Sequence, residues 1–297
     1  MWMICSRVSG SHSIIPGKSR THDGAVSVFL GIEFSRTKDS VVWRQTQSID
    51  DLAVEYNLVG CRKIGTPAEQ IRLSANEEEE NDIGFKRRYQ SLVGSLLYIA
   101  ICTRPDIYHS VLACARYNAN PNEVHWTAAL RVLRYLVSTR NLGLRFEKGD
   151  NRISAFTDSD WAGDLDTRNS TTGGGSVVCW GSKLQRTVAQ SSAEAEYYAI
   201  AAAINEISYF KKLAQELGFM CESVPVKRVD VSDSLSISLF SDSQGGLAKL
   251  KSNRPRTKHL DVKHCLIVQQ VEKGLVKLEI DTKENLADIF TKPRSQK

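Results

Sequence analysis

No stretch of the 297 residues has the long apolar run of a membrane span, and no C-x-x-C pair occurs among its seven cysteines. The first absence sets aside an integral membrane helix. The second, with an odd and dispersed set (Cys5, Cys61, Cys102, Cys114, Cys179, Cys221, Cys265), argues against a zinc site and a disulfide framework and for a reducing compartment. The opening MWMICSRVSGSH is too short in apolar residues for a secretory signal, so an intracellular protein is expected, cytoplasmic, with the nucleus also open. Net charge is small too: 39 Lys and Arg against 34 Asp and Glu leave a formal +5, which permits a polyanionic partner without demanding one. What is present is ordinary globular composition, 41% hydrophobic and 25% charged with a mean hydropathy of -0.29. That excludes disordered, collagenous and coiled-coil chains.

The length predicts two domains, or one domain and part of another. Residues 1–27 read as a poorly ordered leader. From Val26 the alternating run VSVFLGIEFS, the turn TKDS and VVWRQ read as a hairpin. Ser48 and Asp51 outline a helix start before LAVEYNLVG, with Gly60 past its end. The acidic run within 76–85 (Glu77 to Glu80, Asn81, Asp82) reads as a linker. Residues 86–146 hold three helical segments, the later two opened by Pro105 and by Pro121 and Asn122. Arg131, Arg134 and Arg140 on the last of them are either a solvated face or phosphate contacts.

Beyond Arg152 the pattern changes. ISAFTDSD, GGSVVCWG and KLQRTVAQ read as a three-strand antiparallel meander, and residues 191–219 as a long helix with Ser192 as cap and Gly218 as stop. SLSISLFSD is then a strand, residues 257–274 a helix, LVKLEID a strand and KENLADIFTKP a terminal helix closed by Pro293. Strands followed by alternating strands and helices predict an α/β fold, a mixed sheet with helices packed on it.

Four acids fall where a carboxylate is normally penalised. Asp158 lies inside the strand ISAFTDSD, Asp242 ends SISLFS, Glu196 shares the core face of the long helix with Ala199 and Ala203, and Asp288 sits among Leu286, Ala287, Ile289 and Phe290. Each alone has a structural reading: Asp242 as a helix cap, Asp288 as a dipole partner, Glu196 as half exposed. Four carboxylates brought together would repel one another unless divalent cations neutralise them, and oxygen ligands point to Mg²⁺ or Mn²⁺.

FTDSDWAGDLDTRNSTTGG, SSAEAEYYAI, FSDSQGGLAKL, RTKHLDVKHCLIVQQVEKG and NLADIFTKP resemble the ribonuclease H domain of Ty1/copia-type retrotransposon Pol polyproteins, over 152–294. RRYQSLVGSLLYIAICTRPDIYHSVLACARYNANPNEVHWTAALRVLRYL resembles their connection segment (86–146), and FLGIEFSR through SIDDLAVEYNLVGCRKIGTP the end of their reverse transcriptase (28–75). The resemblance implies a ribonuclease H-like mixed five-stranded sheet with helices, preceded by a mostly helical partial thumb and connection region. It implies Asp158, Glu196, Asp242 and Asp288 as catalytic acids holding two Mg²⁺ ions, with Mn²⁺ as a substitute. Glu194 competes with Glu196, but two helical positions are about 200° apart, so both cannot face the sheet. The implied reaction is hydrolysis of the RNA strand of an RNA/DNA hybrid, recognised by shape and 2′-hydroxyls. No small-molecule cofactor and no membrane are expected. Lys249, Lys251, Arg254, Arg256, Lys258, His259, Lys263 and His264 form a basic stretch suited to phosphate contact, or else a solvated helix face.

The chain departs from the family pattern in several places. The polymerase motif Y-V-D-D is missing, so no polymerase activity is expected and a separate reverse transcriptase is the natural partner. EIDTKENLAD has no histidine before the last acid, so either His259 or His264 reaches in or product release is unassisted. Gly173 to Gly175 stand where a large residue is usual, and SDSQGGLA has an extra glycine. A second reading therefore stands beside the enzyme: a non-catalytic remnant or domesticated nucleic-acid-binding fold.

Overall fold

The structure, a computed structural model, describes residues 4–6, 27–69, 73–75, 82–147, 153–161, 164, 166–175, 179–216, 237–242, 258–280 and 285–291. The chain divides into two compact units, residues 6–151 with 293–297, and residues 152–292 with 1–5. The first strand, β1 (Ile4–Ser6), falls within the expected leader, which apart from residue 27 is otherwise outside the described residues.

In the first unit β2 (Val28–Phe29), β3 (Ile32–Arg36), β4 (Ser40–Arg44) and β5 (Leu144–Glu147) form an antiparallel sheet in that order. The run expected as one strand is broken at Leu30 and Gly31, with φ of 51° and 72°, a two-residue turn of the hand that suits a hairpin. Helix α1 (Thr46–Glu55) starts before the expected cap at Ser48. The amide of Gln47 in its first turn donates to Glu33 Oε1 at 2.8 Å, so β3 supplies across the sheet the acceptor that Ser48 was expected to provide. Gly60, at φ 73°, lies well past the helix end.

Helix α2 (Ile83–Cys102) begins earlier than residue 86, because Asp82 Oδ2 accepts from the amides of Gly84 and Phe85. The run Glu77 to Glu80 lies outside the described residues. Pro105 opens a 3-10 turn that leads into α3 (Tyr108–Ala115), and Asn122 caps α4 (Glu123–Ser138) in a capping box with His125. These helices bury Tyr89, Leu92, Leu96, Ile99, Val111, Leu133 and Leu136. Arg131 pairs with Glu69 at 2.6 Å and Arg140 with Asp50 at 2.8 Å.

The second unit contains β6 (Ile153–Ser159), β7 (Thr171–Gly175), β8 (Trp180–Leu184), α5 (Ser192–Glu216), β9 (Ile237–Ser241), α6 (Lys258–Glu272) and β10 (Val276–Ile280), then a 3-10 turn (Leu286–Phe290). The sheet order is β10-β9-β6-β7-β8, with β1 also pairing to β6. β6, β7 and β8 run antiparallel in succession, whereas β9 and β10 run parallel to β6. Apart from β1, this is the mixed five-stranded sheet with helices that the sequence resemblance implies, its meander feeding a βαβ-type return. Ala199, Ile200, Ala203, Ile204 and Ile207 of α5 pack on Ala155, Ile237, Leu239 and Val276 of the sheet and Ile267 of α6.

Three local expectations change. The first meander strand is β6 as expected, but the other two lie elsewhere: β7 is TTGGG, laddered against β6, and KLQRTVAQ contributes only Lys183 and Leu184 to β8. Helix α5 is capped by Ser191, whose Oγ accepts from the Glu194 amide, rather than by Ser192. The terminal helix is a single 3-10 turn, because Asn285 and Thr291 at its two ends are both hydrogen-bonded to β6 and leave no length for an α-helix. Among the described residues no helix is long and apolar enough to cross a membrane.

Candidate metal centre

The parallel pairing of β6 with β9 sets Thr157 beside Ser241. The next residue on each strand is therefore an aspartate at the same sheet end, Asp158 and Asp242. Helix α5 crosses that end from its capped N-terminus and brings Glu196 down from its second turn. One carboxylate oxygen from each of Asp158, Glu196 and Asp242 lies within 4.8 Å of the others. Asp158 is 1% exposed and Glu196 7%, so repulsion among the three is poorly screened.

Glu196 Oε1 accepts from both the amide and the hydroxyl of Ser159, each at 2.9 Å. Its Oε2 is buried with no hydrogen-bond partner. Burial raises the Glu196 pKa to about 8, and the charges of Asp158 and Asp242 add to the rise against the opposing Ser159 bonds. Three hard oxygen donors, one of them an unpartnered buried carboxylate oxygen, fit a divalent cation of the Mg²⁺ or Mn²⁺ type.

Glu194 is buried as well but turned away from the cluster, with Oε2 accepting from the Gln190 amide and Oε1 from the Tyr198 hydroxyl. Of the two, Glu196 is the one grouped with Asp158 and Asp242. Asp288 does not join the cluster: it is exposed on the 3-10 turn. That turn reaches the site by other residues. Asn285 Nδ2 donates to the Thr157 carbonyl at 2.9 Å, and the Thr291 hydroxyl donates to Asp158 Oδ2. Ser159, Asn285 and Thr291 were not singled out from the sequence. A polar residue at either end of the apolar run in NLADIFT was the available signal for the last two.

Of the basic stretch, Lys249, Lys251, Arg254 and Arg256 lie outside the described residues, and Lys258 and His259 open α6. Lys263 Nζ sits 3.4 Å from the centroid of the Tyr198 ring, and burial lowers its pKa against the attraction of Glu194. His264 is buried and stacked parallel to Tyr197 at 6.4 Å.

No family model matches the chain. The Pol polyprotein of transposon TNT 1-94 from Nicotiana tabacum is 35% identical over 291 residues, covering 92% of this chain and 21% of that protein. The uncharacterized mitochondrial protein AtMg00810 of Arabidopsis thaliana is 33% identical over 194 residues, 63% of this chain and 79% of that one. Ribonuclease H1 of Halobacterium salinarum aligns at 18% identity and a TM-score of 0.29 over 48% of this chain and 92% of its own, a likeness on which nothing further rests. The chain spans about a fifth of the length of the Pol polyproteins it matches. It belongs to the family of retrovirus-related Pol polyproteins of copia-type transposons.

Proposed function

We propose that the ribonuclease H-like unit is a metal-dependent endonuclease that hydrolyses the RNA strand of RNA/DNA hybrids, without polymerase activity of its own. The observation that carries this is the gathering of Asp158, Glu196 and Asp242 from β6, α5 and the end of β9, with ligand atoms within 4.8 Å. These three residues would hold Mg²⁺, or Mn²⁺ in its place, with Asp288 on the neighbouring turn as the outermost acid of the set. Divalent ions bound there supply a water of lowered pKa and charge stabilisation for the leaving 3′ oxygen. The protein's own part is positioning. Ser159 fixes Glu196 by two hydrogen bonds, and the sheet register fixes Asp158 beside Asp242.

The basic stretch from Lys249 to Lys263 supports contact with the phosphates of the hybrid. The reaction is intracellular, beside a reverse transcriptase that makes the hybrid, and the five described cysteines are free thiols in keeping with that. The exposure of Asp288 favours the second reading, a non-catalytic nucleic-acid-binding remnant.

A labelled RNA/DNA hybrid incubated with the purified chain and Mg²⁺ separates the two. Products that disappear with EDTA and with Asp158→Asn are the expected result. No product, or equal cleavage by Asp158→Asn, would overturn the enzyme. Lys258→Glu is expected to weaken hybrid binding and to reduce its salt dependence; unchanged binding would remove the basic stretch from the interface.

A further inference from the structure

The segment Asn285–Thr291 is tied to the acidic cluster by a hydroxyl as well as carrying an acid of its own. Asp288 faces solvent, whereas Thr291, 2% exposed, donates its hydroxyl to Oδ2 of Asp158. At the other end of the same turn Asn285, 9% exposed, donates to the carbonyl of Thr157, the residue before Asp158, and its own Oδ1 accepts from the Ala287 amide. Between the two ties, Ala287 and Phe290 are fully buried. The segment is thus anchored at both ends on the two strand residues that aim the first acid of the site.

We propose that Thr291 is a positioning residue of the metal centre, and that its hydroxyl sets the rotation of the Asp158 carboxylate so that the other oxygen is presented to a divalent cation. This rests on the metal-centre reading given above. A carboxylate at a strand end turns about its Cβ–Cγ bond over a broad range. A donor on one oxygen narrows that freedom, as partners behind the ligands of metal sites do. Thr291 has a second acceptor, the Asp288 carbonyl at 3.3 Å, but one proton serves only one acceptor at a time. A hydroxyl suits this task where a cation would not, because it orients the carboxylate without cancelling the charge that the metal needs. Asn285 works on the backbone beside it, keeping the turn seated.

The test uses the whole chain and Mn²⁺ as the probe, with affinity read by calorimetry and, separately, hybrid cleavage and the thermal midpoint. Thr291→Val keeps the shape and removes the donor. It is expected to weaken Mn²⁺ binding by roughly 10- to 100-fold, the range typical for loss of a partner behind a metal ligand. Thr291→Ser, which restores the hydroxyl, is expected to return the affinity to near that of the native chain. A purely structural role would lower the thermal midpoint in Thr291→Val and leave the affinity of the folded fraction unchanged. Unchanged affinity in Thr291→Val, or weakening by the same factor in Thr291→Ser, would overturn the proposal. If Thr291→Val does not fold, Thr291→Ala is read by the rise in thermal midpoint that saturating Mn²⁺ produces: a rise equal to that of the native chain overturns the proposal, and a smaller one supports it. Mn²⁺ binding that depends on Thr291 in a chain that cleaves no hybrid would sink the ribonuclease and keep the positioning role. Cleavage and Mn²⁺ affinity both indifferent to Thr291→Val would do the reverse. A native chain that binds no Mn²⁺ overturns both.

Discussion

Ser159 directs both its amide and its hydroxyl at a single oxygen of Glu196, each at 2.9 Å, while the other oxygen of that carboxylate stays buried without a partner. Two neighbours on consecutive positions of β6 thus act on Glu196 in opposite senses. Ser159 favours the charged form, and Asp158 disfavours it. Burial decides the contest in favour of the proton, lifting the pKa from 4.5 to about 8.

A stability profile follows from that rise. Glu196 binds its proton more tightly in the folded chain than in the unfolded one, so its contribution to stability is complete below about pH 4.5 and is lost as pH rises toward 8. Every tenfold gain in proton affinity on folding corresponds to about 1.4 kcal/mol. In EDTA the urea midpoint of the second unit is therefore expected to fall between pH 5 and pH 8, and Glu196→Gln is expected to flatten that fall. Saturating Mg²⁺ should offset it by neutralising the ionised carboxylate. Denaturation curves in EDTA with the same slope against pH in Glu196→Gln and the native chain would rule out this account.

Asp242 and Asp288 should respond differently to the same change. Asp242 is within the three-acid cluster, and Asp288 is exposed outside it. Calorimetric titration with Mn²⁺ is expected to show Asp242→Asn losing most of its affinity and Asp288→Asn losing less than about 1 kcal/mol, the scale of a solvent-screened charge. Equal losses would mean that the bound state draws Asp288 into the cluster.

The sequence made the sheet and three of the four acids legible because each is tied to a short pattern: an aspartate inside or just after an apolar strand, and a glutamate in register with Ala199 and Ala203. Where expectation missed, the deciding partner was far away in the chain. Ser48 lost the start of α1 to Glu33, which sits on a strand folded back against it. The terminal helix shrank to one turn because Thr157 and Asp158, well over a hundred positions earlier, hold both of its ends. The strand TTGGG was hidden because glycine is a poor strand former, and only its ladder between β6 and β8 fixes it there. Local composition cannot register such partners, so Thr291 and Asn285 escaped notice although they stand within the N-L-A-D-I-F-T motif.

In the first unit, Gly143 is held by close approach. A Cβ at this position would lie 2.1 Å from the Trp43 carbonyl oxygen, a backbone atom on β4 just where β5 pairs with it. Gly143→Ala must therefore push β5 away from β4. A loss of roughly 1 to 3 kcal/mol is expected, the scale of an overpacked site, read as a lower urea midpoint for this unit. An unchanged midpoint would show that the strand end yields freely.

Arg104 accounts for the T-R-P-D sequence at the end of α2 more fully than the proline does. Its side chain is 2% exposed and forms a fork with Asp106, Nε to Oδ1 at 2.9 Å and Nη2 to Oδ2 at 2.7 Å. Two further donors go to the carbonyl and hydroxyl of Thr139 beyond α4, and the Tyr135 hydroxyl donates to Asp106 Oδ2. The guanidinium thereby ties the residue after α4 to the turn after α2, adding a second donor to a Thr139 carbonyl that also accepts from the Leu142 amide at 2.9 Å. Lysine cannot reproduce a planar fork with five donors. Arg104→Lys is therefore expected to destabilise the first unit nearly as much as Arg104→Met. Each should cost on the order of 3 kcal/mol, because either change leaves the Asp106 carboxylate and the Thr139 carbonyl without the partners the fork supplied. Double substitution with Asp106→Asn should recover part of the loss, since the stranded carboxylate is then neutral. Additive losses in that cycle would mean that the pair does not act as a unit.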